Sequence, residues 1–230
     1  MVAKGRPARR DTGEVPYAYS NSAYALVRVL LPFVRNPVAM QARFGLSKAR
    51  CASRTEQLNR LVSDRFRDYV FNHVLAPIGV DASFYPQGDG IDDYALVYNV
   101  ADPTQPGIAP RDDFHLHAGA GYLAISATGF ARFLSALEAG LILPDQLVKE
   151  MTGVPGNRMG FDTTISGTLG DYAWKNGGCP NKNGIKCATI AIVFPNGMQA
   201  YLAINSSVDA TYGAGSLQSV ARDAFDGALI

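Results

Sequence analysis

The stretch "TIAIVFPNGMQAYLAI", residues 189–204, predicts a β-hairpin, and this hairpin decides the fold. Residues 189–194 and 198–204 are rich in β-branched, aromatic and other apolar side chains, which favour strands. The "PNG" at 195–197 is typical of a tight turn between two antiparallel strands. We therefore expect an antiparallel sheet in the C-terminal part of the chain.

The segments around the hairpin extend it into an α+β fold. Upstream, "DYAWKNGG" (171–178) predicts a third, adjacent strand. Downstream, 214–230 predicts an amphipathic helix whose inward side chains are Leu217, Val220, Ala221 and Phe225. Earlier helices are predicted at about 21–34, before Pro37, and at about 55–75, 127–138 and 144–152. This order predicts an antiparallel sheet flanked by helices, plus a helical subdomain.

Composition favours one folded domain behind a short basic tail. The 230 residues are 47% apolar and 18% charged, enough to bury a core. The net charge of +1 gives no overall bias toward nucleic acid, and no apolar run is long enough for a membrane span. We expect a mobile tail at 1–15 and one domain at 16–230, mostly helical over 16–152, with strands and the last helix over 153–230.

Three cysteines bear on the compartment. Cys179 and Cys187 bracket the turn-rich loop "CPNKNGIKC", which favours a disulfide and hence a periplasmic or secreted protein. Two unrelated thiols are the alternative, and Cys51 is expected to stay a free thiol. The three histidines do not form a metal-ligand pattern with the cysteines, so neither a metal nor another cofactor is expected.

Two short stretches carry the most chemistry, Tyr19-Ser20-Asn21 at a helix start and Lys175-Asn176-Gly177-Gly178 at a strand end. A nearby ammonium lowers the pKa of a tyrosine and makes it a usable base. An asparagine amide holds a lysine or a substrate carbonyl, and glycines leave a strand edge bare for a substrate backbone. Each stretch also has an ordinary interpretation: a half-buried tyrosine, a solvated strand end and a plain turn.

Five segments, in order, resemble the serine β-lactamase and penicillin-binding-protein superfamily, in particular its class C-like branch of esterases, D-aminopeptidases and β-lactamase-related proteins. They are "YAYSNSAYALV" (17–27), "DRFRDYVFNHVLAPIGV" (64–80), "HAGAGYLAISATGFARFLSAL" (117–137), "WKNGG" (174–178) and "ATIAIVFPNGMQAYLAINSS" (188–207). The resemblance implies a β-lactamase/transpeptidase-like fold. It also implies acyl transfer through a serine ester, on a small-molecule or peptide substrate with an amide or ester bond.

The resemblance also assigns roles to residues. It implies that Tyr19 is the general base, that Asn21 and Lys175 orient groups and set charge, and that the backbone near Gly177 and Gly178 helps form the oxyanion site. Asn176 stands where the family carries Thr, Ser or Gly. Tyr19 and Lys175 are expected to lie side by side.

The family's nucleophile is the serine of an S-x-x-K motif, and no serine of this chain has a lysine three positions later. We therefore expect a hydrolase without its N-terminal strands and nucleophile helix, inactive alone. Its expected partners are a fragment carrying S-x-x-K or a second copy bound at an unpaired sheet edge. Two alternatives remain: an inactive module that binds peptides or peptidoglycan, and a structural α+β domain whose motifs are coincidental.

Overall fold

The computed structural model describes residues 20–45, 52–84, 95–98, 104–107, 118–121, 123–153, 160–161, 163–180, 186–206 and 215–228. Within them the chain forms an α+β fold of six α-helices and two antiparallel sheets. In chain order the elements are α1 (Asn21–Arg35), α2 (Pro37–Gly45), α3 (Ala52–Tyr69), β1 (Ala82–Phe84), β2 (Leu123–Ile125), α4 (Ala127–Glu138), α5 (Asp145–Gly153), β3 (Thr163–Gly167), β4 (Gly170–Pro180), β5 (Lys186–Val193), β6 (Gln199–Ile204) and α6 (Leu217–Gly227). The expected tail at 1–15 lies outside the described residues.

The larger sheet is an antiparallel meander in the order β3-β4-β5-β6. Its β5–β6 turn is the one that "PNG" predicted: the Phe194 amide donates to the Met198 carbonyl at 2.8 Å, and the Gly197 amide donates to the Phe194 carbonyl at 3.0 Å. Gly197 has a φ of +82°, a conformation that favours glycine. The sequence did not predict β3, a short strand that is recognised only through its pairing with β4.

One face of this sheet packs against α6 and forms the main core. The buried residues of this cluster are Tyr172, Trp174, Ala188, Ile190, Ile192, Phe194, Leu217, Ala221 and Phe225. The rings of Phe194 and Phe225 stack with centroids 4.0 Å apart. The prediction that Val220 faces inward is wrong, because it lies at the margin of the buried stripe of α6 and is 49% exposed beside an open apolar cleft.

The opposite face of the sheet packs against α4 and α5. Ala173 of β4 is buried with Leu137 of α4 and with Phe161. The ring of Tyr201 in β6 stacks on Phe130 of α4, with centroids 4.2 Å apart. Of the two caps that the sequence offers for α4, Ser126 and Thr128, the structure uses Ser126, whose hydroxyl accepts from the Gly129 amide at 2.9 Å. The sheet is therefore covered by helices on both faces.

The predicted helix at 55–75 divides into three turn types. After α3 the chain widens into a π-helical stretch, Val70–Leu75, and then tightens into a 3₁₀ turn, Ala76–Ile78. Gly79, with a φ of +66°, ends the turn, and Pro77 supplies a residue without an amide in it. The apolar periodicity predicted the extent of this helix but carries no signal for the change in helix type.

The helix α1 buries a different face from the one that its apolar residues suggested. Its buried residues are Arg28 and Pro32, and Arg28 Nη1 donates to Ser63 Oγ of α3 at 2.9 Å. Leu30 and Val34, which belong to the apolar pattern that predicts the helix, are 57% and 77% exposed. The pattern predicted the helix correctly, whereas the neighbouring helix α3 determines which side is covered.

The helix α2 was not predicted, because Pro37 was read only as the end of α1. Proline is well tolerated in the first turn of a helix, where no amide is needed. Asn36 completes this start, since its side-chain oxygen accepts from the Ala39 amide at 3.1 Å.

Candidate functional site

The strand β4 carries four of the predicted site residues in succession: Lys175, Asn176, Gly177 and Gly178. On one side these residues pair with β5 in antiparallel register, opposite Ala191, Ile190, Thr189 and Ala188, respectively. The ladder fixes their positions relative to one another, so this half of the predicted site is a single structural unit.

The second side of the same strand segment has no paired strand among the described residues. The strand β3 pairs with Gly170 to Trp174 and stops there, with Thr163 opposite Trp174. From Lys175 onward β4 therefore has β5 as its only strand neighbour in the described part of the chain. A strand edge of this kind presents backbone donors and acceptors, which an extended ligand can pair with.

The side chains of β4 alternate between the two faces of the sheet. Tyr172 and Trp174 point into the α6 core, whereas Ala173 packs toward α4. The two-residue period of a strand therefore places Lys175 and Gly177 on the α4 face, and Asn176 and Gly178 on the α6 face. The lysine and the glycine two residues later therefore share one face of the sheet.

A side chain at position 177 would meet a neighbouring residue of the sheet, whether or not a ligand is bound. A Cβ at this position would lie 2.5 Å from Thr189 Oγ1, the side chain directly opposite in β5. Close packing against the facing Thr189 side chain is therefore sufficient to explain why residue 177 is a glycine. A role in substrate approach stays a prediction.

A tyrosine that the sequence interpretation missed lies on the same face. Tyr201 of β6 is opposite Ala191, which is also opposite Lys175, and the Tyr201 phenol is hydrogen-bonded to Thr189. Burial raises the pKa of Tyr201, and the Thr189 hydrogen bond lowers it by less. This phenol is therefore held in its protonated form at neutral pH. The signal that could have found the group is the alternation of Thr189, Ala191 and Val193 along β5.

The other half of the predicted site is only partly described. Tyr19 lies outside the described residues, so its proximity to Lys175 stays a prediction. Asn21 is the first residue of α1 and is exposed. Ser20 is the N-cap of this helix, with its hydroxyl 3.4 Å from the Ala23 amide. The polar residues 20–21 thus have a structural role in starting α1, whether or not they also contact a substrate.

The backbone places the two loop cysteines opposite each other. Cys179 of β4 and Cys187 of β5 are direct partners in the antiparallel ladder. Partners of this kind have Cα atoms about 4.5–5.5 Å apart, within the range that a disulfide spans. The side chain of Cys179 lies outside the described residues, as does Cys51, so the disulfide and the free thiol stay predictions.

The chain matches no protein-family model and no curated protein. The candidate site is therefore defined by geometry alone: a segment of β4 with one strand partner among the described residues, a lysine in that segment, and a Thr–Tyr pair on the same sheet face.

Proposed function

We propose that this chain is a β-lactamase-related hydrolase domain that binds an extended amide or ester substrate along the open half of β4. The observation that carries the proposal is the strand pairing of β4 from Lys175 to Gly178. This segment pairs with β5 on one side, and no described strand pairs with it on the other side. The segment combines a cationic side chain on the α4 face of the sheet with a backbone edge that no described strand pairs with.

Binding would use the chemistry of strand addition. The substrate backbone would pair with the amides and carbonyls of β4, and the two glycines would let it approach closely. Lys175, on the α4 face, would attract a carboxylate or the developing negative charge of a carbonyl oxygen. Tyr19 and Asn21 complete the site in this proposal, Tyr19 as the proton acceptor and Asn21 as a group that orients Lys175 or the substrate carbonyl.

The covalent step would need a serine nucleophile. Its hydroxyl oxygen would attack the substrate carbonyl carbon while its proton passes to Tyr19, and the amine or alcohol would leave with a proton. Water would then hydrolyse the serine ester. Since residues 1–230 contain no S-x-x-K, we propose that this serine lies outside them, and that these residues alone form no acyl-enzyme.

The same absence favours a second candidate, an inactive module that uses the edge of β4 to bind peptides or peptidoglycan stems. The two candidates share the binding site and differ only in the covalent step. They are therefore separated by complementation with a fragment that carries S-x-x-K, which restores hydrolysis of a chromogenic β-lactam or an ester in the first case alone.

Binding is tested with a short acylated peptide that ends in a free carboxylate, by isothermal titration. Lys175→Ala should weaken binding roughly tenfold or more, the usual scale for losing a charge-assisted hydrogen bond. Lys149→Ala, which removes an exposed lysine of α5, is the matched control and should leave binding unchanged. Equal effects of the two variants, or no binding by the unmodified chain, would remove the edge of β4 as the site.

The absence of acyl transfer is tested by mass spectrometry after exposure to a penicillin or fluorophosphonate probe. The mass of the chain should not change. A covalent adduct that disappears in Tyr19→Phe would show instead that the chain has its own nucleophile and that Tyr19 activates it.

The compartment is part of the proposal. A disulfide between Cys179 and Cys187 would place the protein in the periplasm or outside the cell, where such bonds persist. The register of the two residues supports this assignment.

A further inference from the structure

The outer surface of α1 and α2 carries an apolar stripe. The stripe consists of Leu26, Val27, Leu30 and Val34 of α1 with Val38 of α2, which are 55%, 44%, 57%, 77% and 76% exposed, respectively. The four α1 positions recur at one, three and four residues, so they lie on one side of the helix. Large apolar side chains gathered on one exposed helix face are typical of an interaction surface.

The inner side of α1 explains why the stripe faces outward. Arg28 is buried against α3 through Ser63. The Arg35 guanidinium lies over the ring of Tyr69, 5.3 Å from its centroid. Because both arginines of α1 point toward α3, the outward face of this helix is left without charge.

The charge of the surrounding sequence indicates what covers the stripe. Residues 15–55 contain no Asp or Glu but six basic residues: Arg28, Arg35, Arg43, Lys48, Arg50 and Arg54. Over 1–55 there are ten basic and two acidic residues, whereas 56–230 hold eleven basic and eighteen acidic residues. The net charge of +1 therefore conceals a strongly basic first quarter and an acidic remainder.

We propose that the apolar stripe of α1 and α2 docks on the surface of an anionic lipid bilayer, with the helix lying in the plane of the interface. An uncharged apolar face within a basic segment is the combination that such surfaces bind, since apolar burial and electrostatic attraction add. No helix of the described residues is long and apolar enough to cross a membrane, and a helix that lies on the surface has no such length requirement. This proposal is independent of the site on β4.

Two other occupants fit less well. A second copy that pairs the same stripe with itself would bring two basic segments together, so like charges would oppose the apolar contact. A nucleic acid would be attracted by the basic residues, but its phosphates gain nothing from the leucine and valine side chains of the stripe. An anionic bilayer uses both features at once.

The test is flotation of the full chain with vesicles. Vesicles of phosphatidylcholine that contain about one-third phosphatidylserine should carry the protein, and vesicles of phosphatidylcholine alone should carry much less. Salt at about 1 M should release most of the bound protein, because it screens the attraction to the lipid headgroups. Equal binding to both kinds of vesicle, or none to either, would overturn the proposal.

Matched variants locate the surface. Leu30→Asp, in the middle of the stripe, should weaken vesicle binding by roughly tenfold or more, because it places a charge in the apolar contact. Leu169→Asp adds the same charge at a leucine that is 50% exposed in the β3–β4 turn and should change binding little. Equal loss in both variants would show that net charge alone drives binding.

A second pair tests the electrostatic part without altering the stripe. Arg43→Gln should weaken binding about fivefold, whereas Arg222→Gln, which removes a half-buried arginine of α6 that is paired with Asp223, should leave it unchanged. Sedimentation of the same proteins tests the main alternative, in which a second copy of the chain covers the stripe. A dimer that Leu30→Asp dissociates, in a protein that does not bind the vesicles, would assign the stripe to a second copy and overturn the lipid proposal.

Discussion

Apolar residues are buried in the core between the larger sheet and α6, whereas several apolar residues of α1 are exposed where this helix packs on α3. In β5, Ile190 and Ile192 helped to predict the strand and are completely inaccessible. In α1, Leu30 and Val34 helped to predict the helix and are exposed, whereas Arg28 is 6% exposed. Apolar periodicity therefore predicts that an element forms, but the neighbours it meets decide which of its faces is covered.

The largest expected effect comes from opening the sheet core. Ile190→Ala should lower the free energy of unfolding by about 3 kcal/mol, because it leaves a cavity at a fully buried site. Leu30→Ala, at an exposed apolar position of α1, should change it by less than about 0.5 kcal/mol. Urea denaturation measures both. Similar losses in the two variants would mean that the apolar face of α1 is buried after all.

Reduction of the predicted disulfide should have the next largest effect. Linking Cys179 to Cys187 closes a short loop, for which the chain-entropy relation gives about 2.5 kcal/mol. Alkylation mass spectrometry with and without reductant should show two protected thiols and one free thiol, Cys51. Three alkylated cysteines without reductant would exclude the bond and its stabilisation.

Replacing the buried Arg28 of α1 alone should lower the free energy of unfolding more than replacing it together with Ser63. Arg28→Ala should destabilise the protein by about 2 kcal/mol, since it removes the hydrogen bonds to Ser63 Oγ and to the Asn59 carbonyl and opens space between α1 and α3. Arg28→Met combined with Ser63→Ala should cost less than Arg28→Ala alone, because the volume is largely kept and both ends of the Arg28–Ser63 hydrogen bond are removed together. A double variant as unstable as the single one would show that the arginine has a further structural role.

The side chain that position 177 tolerates should be limited by contact with Thr189 rather than by the backbone conformation of Gly177. Gly177→Ala should cost about 1.5 kcal/mol, because the new Cβ meets Thr189 Oγ1, which Tyr201 holds by a hydrogen bond. In a Thr189→Ala background the same change should cost much less, and a double-mutant cycle by thermal unfolding measures the difference. Additive costs would show that the contact with Thr189 is not what selects glycine.

The smallest expected effects are those of the helix caps. Ser126→Ala should cost about 1 kcal/mol, since its hydroxyl accepts from the Gly129 amide at 2.9 Å. Ser20→Ala should cost only a few tenths of a kcal/mol, because its 3.4 Å contact with the Ala23 amide is long and exposed. A larger loss at Ser20 would indicate that the start of α1 is more strongly fixed than the geometry implies.

The sequence of the C-terminal region predicted most of its structure, and local physics explains why. The "PNG" turn and the apolar strands of 189–204 use rules that act within a few residues, and both are present. The strand β3 was not predicted, because a five-residue strand is recognised mainly by its pairing with another strand. The π-helical stretch after α3 was not predicted either, because its apolar periodicity does not distinguish it from an α-helix.

By itself the sequence determined the α+β class, the hairpin, the helix at Ala127–Glu138 and the concentration of basic residues in the first quarter of the chain. Only the tertiary structure decided that the described pairing of β3 with β4 ends at Trp174, that Thr189 fills the space above Gly177, and that Arg28 turns inward while Leu30 turns outward. The reason is physical: turns, caps and periodicity depend on neighbours in sequence, whereas strand edges, side-chain clearance and helix orientation depend on residues far apart in the chain that folding brings together.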